Sequence, residues 1–226
     1  MEKDKKRYSS LTLPEEKSPT GEAYRALRTS ILRVTQDKSI KAILITSANH
    51  YEGKTTTAIN LALAMSDVPR FGTLLIDSDL RYPSIHNRLS LMQSPGLTEI
   101  LEGSVDLDSG MINTEKENLK VITSGNLPSY PVELLESERL KDLIKELKPK
   151  FDLILIDSPP VIPYSDASVL SSQIDGVLFV VQSAKTRRED IQQAYATLED
   201  NHANVLGVVL NRQKQVVPDK IYRREL

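Results

Sequence analysis

The chain has 226 residues, enough for one large domain, and its 39% hydrophobic and 27% charged content is that of a globular protein with a full core. A net charge of -2 argues against a generally basic nucleic-acid binder, and the lack of cysteine excludes a disulfide framework and thiolate chemistry. The opening MEKDKKRYSS has no apolar stretch of the kind a secretory signal carries, and the most apolar runs, such as GVLFVV, are too short to span a bilayer.

Residues 1–17 are polar and aperiodic and read as a mobile arm. Ser18-Pro19 has the form of a helix start, with serine at the cap and proline in the first turn. EAYRALRTSILRV continues that helix and places Tyr24, Leu27, Ile31 and Leu32 on one stripe. KAILITS (41–47) is a nearly continuous apolar run, as expected of a strand buried on both faces. A glycine-lysine pair follows, then the helical pattern TTTAINLALAM. Further strands are expected at GTLLID (72–77), LKVITS (119–124), FDLILID (151–157), GVLFVVQ (176–182) and NVLGVVLN (204–211). Between them, helices are expected at PVELLESERLKDLIKEL (131–147), DASVLSSQ (166–173) and REDIQQAYATLED (188–200). The alternation predicts an α/β protein: a mainly parallel sheet with helices on both faces, in a single domain over residues 18–226.

Three sites carry chemistry. Residues 48–55, ANHYEGKT, have the spacing of a phosphate-binding loop if alanine stands at the first glycine position. Successive backbone N–H groups at a helix N-terminus make a concave anion site. Gly53 lets the backbone approach the phosphates, Lys54 reaches the β and γ oxygens, and the Thr55 hydroxyl can ligate Mg²⁺. Glu52 and Thr56 complete the nucleotide-binding set. LLIDSDLRYP places Asp77 and Asp79 at a strand end, and LILIDSPP places Asp157 at another. Ligands of open parallel sheets bind at strand C-termini. There, three carboxylates beside a triphosphate would hold Mg²⁺, and one could accept a proton from an attacking hydroxyl.

In this order, the motifs resemble those of the bacterial tyrosine kinases of capsule and exopolysaccharide synthesis, a branch of the P-loop ATPase superfamily that includes the partitioning ATPases. The likeness runs through EAYRALRTSI, ITSANHYEGKTTTAINLA, LLIDSDLRYPSIH, GLTEIL, ITSGNLPSYPVELLES and FDLILIDSPPVIPYSDA, covering nearly the whole chain after residue 18. The partitioning ATPases carry a second lysine early in the loop, where this chain has Asn49. The resemblance implies a P-loop fold and an ATP- and Mg²⁺-dependent protein-tyrosine kinase. In it, Lys54, Asp77 and Asp79 would be catalytic, with Asp77 as base. Thr55, Asp77, Asp79 and Asp157 would serve the metal, and Asn211 would read the adenine. Glu22, Arg25 and Arg28 match an ExxRxxR motif that joins subunits into a ring. The implied partner is the cytoplasmic tail of a membrane chain-length protein, a polysaccharide co-polymerase, which would recruit a cytoplasmic kinase to the inner face of the membrane. No nucleic-acid partner is expected.

Two departures stand out. His50-Tyr51 replaces the Pro-Gly of family loops, and a tyrosine held there at positive φ is strained by about 1 kcal/mol or more. The chain ends KIYRREL, with Tyr222 alone where the family has a tyrosine cluster, so Tyr222 is the one candidate tail phosphosite. These departures keep two alternatives open: a P-loop ATPase switch, or a nucleotide-binding adaptor without turnover.

Overall fold

A computed structural model describes residues 18–36 and 40–213; the expected arm at 1–17 and Tyr222 lie outside the described residues. The first helix, α1, runs Pro19–Thr35, and the Ser18 hydroxyl accepts a hydrogen bond from the Gly21 N–H at 3.1 Å. That bond satisfies one of the free donors of the first turn. Strand β1 (Ala42–Ser47) leads through the glycine-lysine loop into α2 (Lys54–Ser66). Then follow β2 (Thr73–Asp77), the short helices α3 (Ile85–Arg88), α4 (Leu97–Glu102) and α5 (Leu107–Gly110), and strands β3 (Ile112–Asn113) and β4 (Leu119–Ile122). The chain continues with α6 (Pro131–Glu136), α7 (Glu138–Leu147), β5 (Leu153–Asp157), α8 (Asp166–Ser171), β6 (Gly176–Gln182), α9 (Arg188–Asp200) and β7 (Val205–Asn211).

The strands form one sheet in the order β3-β4-β2-β5-β1-β6-β7, parallel throughout except for the antiparallel β3–β4 edge. Side chains alternate between its faces. Ile43, Ile45, Leu75, Leu155 and Val180 join Ile31 of α1 and Ala58, Leu61 and Met65 of α2. On the other face, Leu44, Ile76, Ile156 and Phe179 join Leu101 of α4, Leu135 of α6, Leu143 of α7, Leu170 of α8 and Leu198 of α9. Each central strand is therefore apolar on both sides, which is why the sequence runs are continuous rather than alternating.

The expected helix 131–147 is two helices. Ser137 adopts ψ 147° and its hydroxyl donates to the Leu134 carbonyl at 2.7 Å, so the serine ends one helix and starts the next. The helices α3 to α5 and strand β3 are too short to show a periodicity in the sequence. No described helix is long and apolar enough to cross a membrane.

Strands β2, β5 and β1 are neighbours, so the loops that follow them meet at one end of the sheet. Asp77 and Asp157 are register partners in adjacent parallel strands, which brings the second and third sequence sites together behind the first.

Candidate active site

The loop between β1 and α2 is held from several directions. Gly53 has φ 101°, and a Cβ there would stand 2.0 Å from Asn211 Nδ2, so only glycine fits. Asn211 Nδ2 donates to the Glu52 carbonyl at 2.8 Å, while its Oδ1 accepts from the Arg212 N–H at 2.9 Å. The Glu52 carboxylate is buried, accepting from the Asn49 N–H at 3.1 Å and from the Thr186 hydroxyl. Asn49 Nδ2 donates to Asp190 of α9 at 2.9 Å. Tyr51 does occupy the left-handed region, at φ 64°, with its ring 82% exposed. That conformation costs a non-glycine residue about 1–2 kcal/mol.

A cavity of about 410 Å³ opens over this loop. Gly53, Lys54, Thr55 and Thr56 line it from below, with His50 and Tyr51 at the rim. Asp79, Tyr82, Ser84, Arg88 and Arg212 complete its lining. Glu52, Asp77, Asp157 and Asn211 do not line it; they lie behind the residues that do. Glu22, Arg25 and Arg28 are elsewhere, on α1. Glu22 is exposed and the two arginines are half-buried, with Arg28 Nη1 donating to the Ala64 carbonyl near the end of α2 at 3.2 Å.

The carboxylates behind the cavity differ in their partners. Asp77 Oδ2 accepts the Ser84 and Ile85 N–H groups at 3.2 and 3.0 Å, and its Oδ1 accepts from the Asp79 N–H at 3.3 Å. Burial, and then the neighbouring Asp157 charge, hold the Asp77 carboxyl well above the usual carboxylate range, against the pull of those N–H donors. Asp79 Oδ1 accepts from the Tyr82 N–H at 2.9 Å. Burial pushes the Asp157 carboxyl up to about 7, although the Lys54 ammonium and the Thr55 hydroxyl pull it down. Asp157 Oδ1 is buried and has no hydrogen-bond partner among the described residues, an arrangement that costs free energy unless something fills it.

That orphan oxygen, beside a threonine hydroxyl and further carboxylates, is a hard-oxygen donor set, which suits Mg²⁺. Among the described residues, no three His, Cys, Asp or Glu side chains gather closely enough to hold a metal by themselves. An ion here would take its remaining ligands from phosphate oxygens and water.

The rim is aromatic. His50 meets Tyr82 and Tyr164 edge-on at 5.8 and 5.5 Å between ring centroids, and the Arg81 guanidinium lies 4.4 Å over the Tyr164 ring. Arg81 is fixed by Asp166, whose two oxygens accept its Nε–H at 3.0 and 3.1 Å. Sequence reasoning singled out His50 and Tyr51 but missed Tyr82, Ser84, Arg88 and Arg212. Tyr82 and Ser84 lie inside a quoted motif; the two arginines sit in stretches without a recognisable pattern. It also left the SGNLPSYP stretch without a structural account. Glu99 Oε1 accepts from Asn126 N–H and Nδ2 at 3.0 and 2.7 Å, and its Oε2 accepts from the Gly96 N–H at 2.8 Å. Burial raises the Glu99 carboxyl, but the Asn126, Gly96 and Ser94 donors outweigh it and hold the group below its ordinary value.

A phosphate loop at the centre of a parallel sheet, backed by strand-end aspartates, defines a P-loop ATPase site. Residues 40–209 match the AAA domain family. The chain is 35% identical over 204 residues to the tyrosine-protein kinase YwqD of Bacillus subtilis, covering 90% of this chain and 86% of that one. Its fold superposes on the chimerical protein CapA2B2 with a TM-score of 0.84 at 34% identity, covering 89% and 88% of the two chains. Against the kinase domain of the Escherichia coli tyrosine kinase ETK the TM-score is 0.81 at 28% identity, with 95% and 88% covered. The chain belongs to this family of bacterial tyrosine kinases, within the P-loop ATPases.

Proposed function

We propose that the chain is an ATP- and Mg²⁺-dependent protein-tyrosine kinase acting in capsular or exopolysaccharide synthesis. The observation that carries the chemistry is the buried, unpartnered Asp157 Oδ1 set beside Lys54 and Thr55 at the foot of the loop. Gly53 and the first turn of α2 present backbone N–H groups to the phosphates, and Lys54 neutralises charge on the transferring phosphoryl group. Thr55 and Asp157, with Asp79, would hold Mg²⁺, which when bound supplies further neutralisation of the β and γ oxygens. The acceptor tyrosine oxygen forms a bond to the γ-phosphorus as the bond to the β,γ-bridging oxygen breaks and ADP leaves. Asp77, which lies behind the cavity lining, would receive the phenolic proton only through a lining group or after a rearrangement that exposes it. Burial and the Asp157 charge raise its proton affinity, the direction that favours a proton acceptor. Asn211 would meet the adenine only by releasing the Glu52 carbonyl.

In the same reading, the cytoplasmic tail of a membrane chain-length protein docks on the kinase and brings it to the membrane. Glu22, Arg25 and Arg28 form a head-to-tail contact between subunits, as a closed ring requires. Light scattering with that tail and ATP should show an assembly that Arg25→Ala with Arg28→Ala dissolves; a wild type that stays monomeric ends the ring reading. Incubation with labelled ATP, Mg²⁺ and the tail tests the activity. Phosphotyrosine is the expected product. Free phosphate alone would mean an ATPase switch, and neither product an adaptor.

A further inference from the structure

Arg88 ends α3, a helix of one turn whose position is tightly determined. Its first residue, Ile85, is fully buried, and the Ser84 and Ile85 N–H groups are both held by the buried Asp77 carboxylate. The arginine side chain crosses to α2, where Nη1 donates to the Thr56 hydroxyl at 2.8 Å. Thr56 lies in the first turn of α2, the turn whose free N–H groups form the anion site. A guanidinium has five N–H donors, so most of its fork remains open. Among the described residues Arg88 forms no ion pair. It lines the cavity together with Lys54, and its charge, like that of Lys54, lowers the proton affinity of Asp157.

An exposed arginine is usually a solvated surface group, and one hydrogen bond to a threonine would be enough to anchor a short helix. Arg88 differs in three respects. Its helix is anchored at its base by a buried carboxylate, it lacks an acidic partner among the described residues, and it lines the same cavity as Lys54. Asn49, early in the loop, is an amide tied to Asp190 and supplies no charge. Charge on a transferring phosphoryl group spreads over its equatorial oxygens, and a planar fork can meet two of them at once.

We propose that Arg88 is a second catalytic cation, contacting the γ-phosphate together with Lys54. It takes up no proton; it offsets negative charge while the acceptor oxygen bonds to phosphorus and the bridging oxygen leaves with ADP. The inference rests on the assignment of the cavity to ATP.

The test compares ADP with adenylyl imidodiphosphate, which carries a third phosphoryl group that is not transferred, both titrated against the full chain with Mg²⁺. Arg88→Gln should weaken the imidodiphosphate about tenfold, the loss of one charge-assisted contact, while ADP changes by less than about twofold. Arg88→Lys, which keeps charge but not the fork, should fall between. Single-turnover transfer in Arg88→Gln should drop by about a hundredfold or more, the scale of losing one donor to transition-state charge. Equal weakening of both nucleotides, or no change in either, would overturn the inference and leave Arg88 as an anchor for Thr56. A wild-type chain that binds neither nucleotide would instead remove the assignment of the cavity, and the role of Arg88 with it.

Discussion

The floor and the rim of the cavity are built on opposite terms. At the floor, where Lys54 lines the cavity and Asp77 and Asp157 lie behind it, the three are 7%, 0% and 1% exposed, and their positions follow from strand register and helix start. On the rim, Tyr51 and Tyr82 are 82% and 64% exposed; both rings meet His50, and that of Tyr82 also meets Tyr164. A floor residue cannot change without altering both chemistry and stability. A rim residue can change with little consequence for the sheet. The floor thus stores unfavourable free energy, in a buried carboxyl with an empty acceptor, whereas the strain of the rim is conformational and local.

Asp157→Asn should break this contrast most severely. Transfer that depends on Mg²⁺ should fall by about a hundredfold, on the scale of disrupting a metal site. Stability should respond in the opposite sense. The folded carboxyl sits at about 7 against an ordinary 3.8, so its contribution is full below pH 3.8 and is lost as pH rises through 7. The wild type without nucleotide should therefore melt lower at pH 8 than at pH 5, and Asp157→Asn should show a smaller fall. Parallel melting curves across that range would remove Asp157 as the strained group.

Lys54→Met comes next. Loss of one charge-assisted contact should weaken ATP by about 10- to 100-fold in a fluorescent-nucleotide titration. Unchanged affinity would end the loop assignment. A smaller difference separates the paired aspartates. Asp77→Asn should slow single-turnover transfer about tenfold more than Asp79→Asn, because an amide neither takes the proton nor accepts two N–H groups from α3 as well as a carboxylate does. Equal losses would give both residues a metal role and place the base elsewhere. Tyr51→Gly should produce the smallest effect and the one gain. Relief of the left-handed strain, partly offset by glycine entropy, should raise the melting temperature by a few degrees, corresponding to about 1 kcal/mol. A lower melting temperature would mean that the ring contributes more than its backbone costs.

The sequence was readable where one short stretch contained the whole cause. The apolar runs at 42–47, 73–77 and 153–157 marked buried strands, and a glycine-lysine pair between strand and helix marked the loop. The left-handed Tyr51 was foreseeable because the position favours glycine. What stayed hidden depended on contacts between distant segments. Ser137 breaks a helix whose periodicity continues across it. Asn211 braces a loop 159 positions away, and Arg88 reaches Thr56 across 32. No local pattern announces such pairs, because either partner could serve equally well as an ordinary surface residue.

The brace between Asn211 and Glu52 also joins two regions that would otherwise open separately. Strand β7 is a half-exposed edge of the sheet, the part of a fold that normally frays first. With its last residue bonded to the loop backbone, fraying of β7 and opening of the loop become one event. In hydrogen exchange, amides of residues 205–211 and of the loop around Gly53 should share one opening free energy. A nucleotide bound at Lys54 should then slow exchange along an outer strand that does not line its cavity.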